Sequence, residues 1–592
     1  MSWKPEASLP VVASLLIVVF GWGPSGYLWA QGQGDIVEKV QDQREASLPQ
    51  ADPGGTMNVP DVPELVETDE TPLGIELLAI RLIAHQDRTD LEATFSVEAP
   101  VMVDQDLLPP EGLESMLIEQ FIGESLSLAE LEKVTQSIIE AYREGDYPLV
   151  DVYLPEQNLS NGKLQIVVRE AVLGEVRVEG AEHSDPDYLF NQIRIAPGER
   201  INSQILERDV DWINSNPSRR VDLIYERGED DGTSDIILNT ADLAPFSSYL
   251  SFGNTGIEST GLNEWAAGFN LFNLFGTEHS AGYSFSGDSE LDNLNAHTLI
   301  YELPLPWRHR LQLIGAYVTS ESEADSGVLP LDVDGESIQA SADYKILLPK
   351  LANRHRQNLT IGLDYKSTNT DILFGGESFF DSVSEVFQVR AGYDIAIGDQ
   401  FGYTRVDLGA VFSPGDVLNS NSDEDFAAIR EGSSSDYWYL TGEVERYFIL
   451  PQDWGLKFVT EGQLTDDRLI STEQLLAGGY RSIRGVDENL IRGDSGVLLS
   501  AELIAPGFSV FKINEVAKDS LNLFLFTDSA WLYSTGNTEG EEDQSLLTSG
   551  MGLNYRFGDH SRLRASYGWV LDESGIEDSS AGKWHLGLTI TY

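Results

Sequence analysis

Trp584-His585-Leu586-Gly587-Leu588-Thr589-Ile590-Thr591-Tyr592 closes the sequence. Every even position is apolar or aromatic, and every odd position is polar or glycine. Side chains on a strand alternate between its two faces, so this segment has one greasy face and one wet face. Lipid on one side and a hydrated interior on the other is the arrangement of a membrane barrel strand. A soluble edge strand could alternate in the same way, but the aromatic ending on Tyr592 weighs toward the barrel.

The same alternation can be followed backwards from this strand. From Ala244 onward helical periodicity stops, and strands are expected to begin near Ser248, Trp265, Ser280, His297, Leu311, Ile338, Leu359, Val386, Thr404, Trp438, Leu456, Val497, Leu521, Leu546, Leu563 and Trp584. That is about sixteen, an even number, as bacterial single-chain barrels have. Short connections such as Phe275-Gly276-Thr277, Ile397-Gly398-Asp399 and Phe557-Gly558-Asp559 alternate with long acidic ones at 320–335, 414–436, 536–543 and 572–580. Short turns at one end and long loops at the other are the expected asymmetry. Residues 244–592 are therefore read as a transmembrane antiparallel barrel, which makes the fold β-dominated.

Upstream, the pattern is mixed α and β and occurs twice, at 73–171 and 172–243. In the first copy Ser127-Leu128-Ala129-Glu130 has capping-box form. Leu128, Leu131, Val134, Ile138 and Ala141 follow at helical spacing, then strands at 149–154 and 163–169. In the second, Gly174 to Val178 reads as a strand and Leu206, Val210 and Ile213 as one helical face. Strands are then expected at 221–225 and 235–239. Residues 31–72 are an acidic linker, in which Asp35 to Ala46 could form a short helix. The apolar run Leu9 to Trp22 behind Lys4 reads as a signal peptide within 1–30, since it is short for the roughly 20 residues of a spanning helix.

Composition removes several classes. The chain has 592 residues, no cysteine and a net charge of -59. Thiol chemistry and thiolate metal sites are excluded, and nucleic acid would be repelled. Mean hydropathy is -0.20, unlike a helical membrane protein. The eight histidines form no zinc spacing. Gly493-Asp494-Ser495-Gly496 has the look of a protease tetrad, but it follows a loop without a placed histidine and reads as a turn. Asp332-x-Asp334-Gly335 lacks the distal glutamate of a calcium loop and reads likewise. No catalytic residue, metal site or cofactor is assigned, and the chain is read as a non-enzyme.

One loop resists the description of polar filler. Leu475-Leu476-Ala477-Gly478-Gly479-Tyr480-Arg481-Ser482-Ile483-Arg484-Gly485-Val486 holds a glycine pair and places one guanidinium behind a β-branched residue. On the strand Leu521 to Tyr533, Leu521, Leu523, Leu525, Trp531 and Tyr533 share one face, and period-2 alternation puts Asp528 on the lumen side. These segments resemble two signatures of the POTRA-and-barrel superfamily of BamA. Ile483-Arg484-Gly485 is similar to its Val/Ile-Arg-Gly-Tyr/Phe loop motif, and Phe526-Thr527-Asp528-Ser529-Ala530 to its Phe-x-Asp-x-Gly strand motif. Val486 stands in place of the aromatic residue and Ala530 in place of the last glycine. Gly478, Gly479 and Ser482 are closest to the two-partner secretion branch, the ShlB/FhaC-like transporters. The β-α-α-β-β order, with Tyr142-x-x-Gly145-x-Tyr147, resembles POTRA modules. Gly587, Ile590 and Tyr592 resemble the terminal signal that barrels show to the assembly machinery.

The resemblance implies an outer-membrane transporter of a Gram-negative-type bacterium with two periplasmic modules. It would capture an unfolded exoprotein carrying an N-terminal secretion domain and pass it through the barrel without ATP. Its partners would be that exoprotein, outer-membrane lipid and the barrel-assembly machinery. The resemblance also implies that the loop tucks into the barrel, where Arg484 pairs with Asp528, and that residues 35–46 plug the pore. In a wet lumen such a pair would contribute about 1 kcal/mol or less. A barrel-assembly factor or a plain porin or receptor is the alternative.

Overall fold

A computed structural model describes residues 57–58, 69–90, 99–257, 260–325, 330–349, 355–374, 377–511, 519–536, 542–558, 560–576 and 581–592. The expected signal peptide and the segment Asp35 to Ala46 lie outside the described residues. Two compact units are present, 49–244 and a second formed mainly by 245–592.

The first unit contains two small α+β modules. One is a four-stranded sheet in the order β3-β2-β5-β4, built from β2 (Ala79–Ile83), β3 (Val101–Val103), β4 (Val150–Tyr153) and β5 (Lys163–Glu170). Helices α1 (Leu113–Phe121) and α2 (Leu128–Glu144) provide its apolar cover. Ser127 caps α2 by accepting the Glu130 amide at 3.1 Å. The reciprocal half of the expected capping box is replaced, because the Glu130 carboxylate reaches Lys133 instead. The buried stripe of α2 runs Leu131, Val134, Ile138 and Tyr142, and Leu128 faces solvent. The edge strand β3 is an addition to the expected β-α-α-β-β order.

The other module has the sheet order β1-β7-β8-β6, from β1 (Met57–Asn58), β6 (Val172–Glu179), β7 (Arg219–Arg227) and β8 (Thr233–Asp242). Helices α3 (Pro186–Asn191) and α4 (Ser203–Ile213) complete it, and Leu206, Val210 and Ile213 are buried as the spacing predicts. The two modules are joined through Arg200 of the second, which reaches a carboxylate fixed within the first. Tyr142 donates its hydroxyl to Glu170 at 2.9 Å, and burial raises its pKa above the ordinary tyrosine value. Arg200 lies 2.9 Å from the same carboxylate and stacks 3.9 Å from the Tyr147 ring.

The second unit is a closed barrel. Among the described residues sixteen antiparallel strands form it: β9 (Phe246–Gly253), β10 (Glu264–Leu274), β11 (His279–Asp288), β12 (Leu294–Pro304), β13 (His309–Asp325), β14 (Pro330–Leu347), β15 (His355–Phe374), β16 (Glu377–Asp399), β17 (Gly402–Pro414), β18 (Asp436–Leu450), β19 (Trp454–Leu464), then, beyond the short loop strands β20 (Leu475–Ala477) and β21 (Ile491–Gly493), β22 (Ser495–Ile504), β23 (Asp519–Tyr533), β24 (Gln544–Phe557), β25 (Ser561–Ser574) and β26 (Gly582–Thr591). The last closes on the first, Gly587–Thr591 pairing with Gly253–Tyr249. Each expected strand has one counterpart.

Two expected loops are corrected. Residues 320–335 are mostly strand, since β13 and β14 stay in register as far as Asp325 and Pro330, and Asp332 to Gly335 lies inside β14. Acidic residues disguise this extension because only the bilayer band demands an apolar face, while ladder hydrogen bonds carry the hairpin on into water. The 414–436 loop contains a capped helix, α5 (Asp423–Ile429), whose Phe426 is buried against Tyr437, Leu469 and Ile470. At the short-turn end fourteen positions separate the end of β22 at Ile504 from the start of β23 at Asp519, more than the alternation predicts.

Outward positions follow the predicted parity. Trp584 is 65% and Ile590 45% exposed, whereas His585 between them is 1% exposed.

Candidate functional site in the barrel interior

The connection between β19 and β22, residues 465–494, folds back as the small hairpin β20–β21 against the wall. Its turn explains the glycine pair. Gly478 and Gly479 have φ of +130° and +100°, and a Cβ on Gly479 would come within 2.0 Å of the Glu488 carboxylate. That carboxylate accepts the Tyr480 amide at 2.6 Å. Ser482 bridges the turn, accepting the Gly478 amide at 3.0 Å and donating to the Gly478 carbonyl at 3.1 Å. Ile483 and Val486 are buried with Leu475, Ile491, Leu498, Ala530, Leu532 and Leu546. The loop tip is thus an apolar plug with one buried cation on it.

That cation is Arg484. Its Nε donates to Asp528 Oδ2 at 2.8 Å and its Nη2 to Oδ1 at 2.7 Å, a bidentate fork. The Arg484 backbone amide adds a third bond to Asp528 at 3.0 Å. Nη1 pairs with Glu502, which also accepts Arg564 at 3.0 Å. Ser500 sits directly opposite Asp528 in the β22–β23 register and donates to it at 2.7 Å. Phe526 lies under the guanidinium at 3.8 Å. The Arg484 and Asp528 side chains are 3% and 0% exposed. The pair is therefore dry, and the estimate for a wet lumen is corrected. Breaking a buried, hydrogen-bonded pair costs about 3–5 kcal/mol, because a charge is left without its partner.

Glycines again set the close approach. Gly485, with φ of +101°, lies on Gly568 of β25, and a Cβ on either would sit 2.7 Å from the other's backbone. The Gly485 amide donates to His585 Nε2 at 2.9 Å. Tyr480 takes the space above Gly587, where a Cβ would meet its hydroxyl at 2.6 Å. Gly587, assigned from sequence to the terminal signal, thus has a local steric reason as well. Ile590 and Tyr592 face outward.

The base of the loop carries a second buried cluster that sequence reading misses. Asp494, read as part of a turn, is a hub with 0% exposure. It accepts Arg430 Nη2 at 3.0 Å, the Leu469 amide at 3.1 Å and the Thr535 amide at 2.7 Å. Glu473 accepts Lys366 at 3.0 Å and Tyr439 at 3.1 Å, and also Gln388. Gln463 of β19 donates to the carbonyls of both Glu473 and Asp494 at 3.0 Å. Ser500, Glu502, Arg564 and His585 were also missed, although parity along β22, β25 and β26 places them toward the interior. Among the described residues no group of His, Asp and Glu is arranged to hold a metal ion. The arrangement can brace a loop.

The family described as haemolysin secretion/activation protein ShlB/FhaC/HecB matches residues 232–555, more than half of the chain. The ShlB-type POTRA domain matches residues 101–171. The heme/hemopexin transporter protein HuxB of Haemophilus influenzae is 22% identical over 400 residues, covering 65% of this chain and 68% of that protein. The outer membrane transporter CdiB of Escherichia coli is 24% identical over 456 residues, covering 73% of each. The solved structure of CdiB from Escherichia coli shares the fold, with a TM-score of 0.73 at 17% identity over 96% of this chain and 100% of that one. CdiB from Acinetobacter baumannii gives 0.64 at 16% identity over 95% and 98%. A barrel of this construction, with a POTRA domain ahead of it and a family match across its strands, has one reading: the chain belongs to the haemolysin secretion/activation family ShlB/FhaC/HecB, outer-membrane transporters of two-partner secretion.

Proposed function

We propose that this transporter takes an unfolded exoprotein, bearing an N-terminal secretion domain, on a strand edge of its periplasmic modules and releases it outside through the barrel. Threading needs no ATP, because folding of the cargo outside makes the passage one-way. The observation that carries capture is the outer edge of β7. It pairs in parallel with β1, Met57 opposite Leu223 and Asn58 opposite Ile224, so this edge accepts an extended segment through main-chain bonds. Strand addition of that kind binds unfolded chains with little demand on their sequence. The Arg484 cluster holds the 465–494 loop in its place in the barrel, and secretion depends on that placement. Gly587, Ile590 and Tyr592 serve recognition by the barrel-assembly machinery. The family match favours this reading over an assembly factor or a plain porin.

Deletion of residues 174–242 tests capture. The barrel is expected to insert, judged by its heat-modifiable migration, while secretion of the cognate exoprotein stops. Unimpaired secretion by an inserted deletion variant overturns it.

A further inference from the structure

The histidine behind the loop is not a passive wall residue. His585 is buried, and its Nε2 accepts the Gly485 amide at 2.9 Å. An imidazole nitrogen accepts a hydrogen bond only when it carries no proton, so this contact exists in one protonation state of the ring. In that state the ring proton is on Nδ1, which has no hydrogen-bond partner among the described residues. Ser566, directly opposite in the β25–β26 register, likewise has a buried hydroxyl without a partner.

Protonation has two consequences, and both act against the loop. The Nε2 proton would face the Gly485 N–H, donor against donor, at the residue next to Arg484. A fourth cation would also enter a crowded field. The charged groups around the ring are Lys583 on its own strand, Arg484 and Asp487 on the loop, and Arg564 on β25. Three of these four are cationic, and the one carboxylate, Asp487, is already paired with Lys583. The Gly485–Gly568 backbone contact leaves the loop no slack to slide past the ring.

We propose that His585 is a positioning residue for the secretion loop. Its neutral ring holds the Gly485 amide, and protonation of the ring releases the tip of the loop from the wall. This deepens the reading above and rests on it, since it concerns how the braced loop is let go. The fork from Arg484 to Asp528 supplies the strength of the lock, and His585 supplies its response to acid.

Hydrogen–deuterium exchange of the full-length protein in lipid vesicles tests it, following the peptide that covers 478–490 at pH 7.5 and pH 5. After correction for the intrinsic pH dependence of exchange, protection in the wild type is expected to fall at least tenfold on acidification. In His585→Gln, whose amide oxygen accepts at both pH values and does not titrate, protection is expected to stay constant. His585→Leu is expected to be unprotected at both. Heat-modifiable migration establishes that each variant is a folded barrel. Should either leucine or glutamine fail to fold, the wild-type pH profile and the other variant still decide. Wild-type protection that is flat with pH, or a glutamine variant that titrates like wild type, overturns the proposal. Arg484→Ala separates the two readings. If it remains protected and secretes normally, the lock itself fails. If it loses both while His585→Gln still titrates, only the role of His585 fails.

Discussion

The tip and the base of the 465–494 loop are each fastened by two cations and two carboxylates, with the roles exchanged. At the tip the loop supplies the cation, Arg484, and the wall supplies Glu502 and Asp528, with Arg564 completing the set. At the base the loop supplies the carboxylates, Glu473 and Asp494, and receives Lys366 from β15 and Arg430 from the end of α5. The difference in what surrounds each set teaches more than the likeness. The tip rests on strands β22, β23, β25 and β26, whose ladder exists without it. At the base Glu473 likewise rests on the wall, through Lys366, Gln388 and Tyr439, but Asp494 gathers segments that have no ladder in common: the helix α5, the chain at Leu469 and the chain at Thr535. The tip is therefore suited to be released, and the base to stay.

The largest effect is expected at the base. Asp494→Ala leaves Arg430 buried without that carboxylate and strips the Leu469 and Thr535 amides of their acceptor. The cost is about 3–5 kcal/mol, and it falls on contacts that hold the loop end of the barrel together. The midpoint of thermal unfolding on gels should drop clearly, and secretion with it. Asp494→Asn retains the acceptor oxygen and should lose less. A variant with alanine here and an unchanged midpoint would show that the base is no stronger than the tip.

Removing the tip pair should disable transport and spare the barrel. Arg484→Ala and Asp528→Ala each break a buried pair of similar worth, but the loss is felt as loop release, because the β22–β23 ladder remains intact. Secretion is expected to fall at least tenfold with the unfolding midpoint within a few degrees of wild type. Arg484→Lys should restore only part, since a point charge cannot fill both oxygens of Asp528 and reach Glu502 as the fork does. Full activity in the lysine variant would mean that charge alone positions the loop.

A smaller effect isolates distance from charge. Gly568→Ala places a methyl group 2.6 Å from the Arg484 carbonyl, against backbone that cannot rotate away. Overpacking of this kind costs about 1–3 kcal/mol, and it should weaken loop protection while leaving every charge in place. If protection of residues 478–490 is unchanged, the backbone contact does not define the tip position.

The tip was legible in the sequence and the base was not, for a physical reason. Parity along β23 put Asp528 inside, and glycines at Gly478, Gly479 and Gly485 marked a loop built for close approach. The resemblance implies that Arg484 pairs with Asp528, and the two side chains are in contact. Nothing local marks the base: Asp494 finds Arg430 sixty-four positions away, and Glu473 finds Lys366 across one hundred and seven. Such pairs are set by the barrel's closure and by α5, which its acidic sequence disguised as loop. Strand existence was readable from alternation, but strand ends were not wherever β13 to β16 rise beyond the lipid band and the apolar requirement lapses. The extra edge strand β3 gave no signal either, being three residues long.

The finest test joins tip to base through the apolar cluster between them. Two positions depart from the superfamily motifs, Val486 in place of an aromatic residue and Ala530 in place of glycine. Both are buried in one cluster with Ile483 from the tip and Leu475 from the loop stem. A smaller residue on the loop and a larger one on the wall change volume in opposite directions, so the departures should partly compensate. Val486→Tyr alone overpacks the cluster, at about 1–3 kcal/mol. Ala530→Gly alone removes a buried methyl and loosens a strand position, at about 1 kcal/mol. Together they should cost less than the sum, with a coupling of about 0.5–1 kcal/mol in a double-mutant cycle read by loop protection. Strict additivity would mean that the two sites are independent, and that the tip is positioned by Arg484 and the Gly485 contact without help from packing.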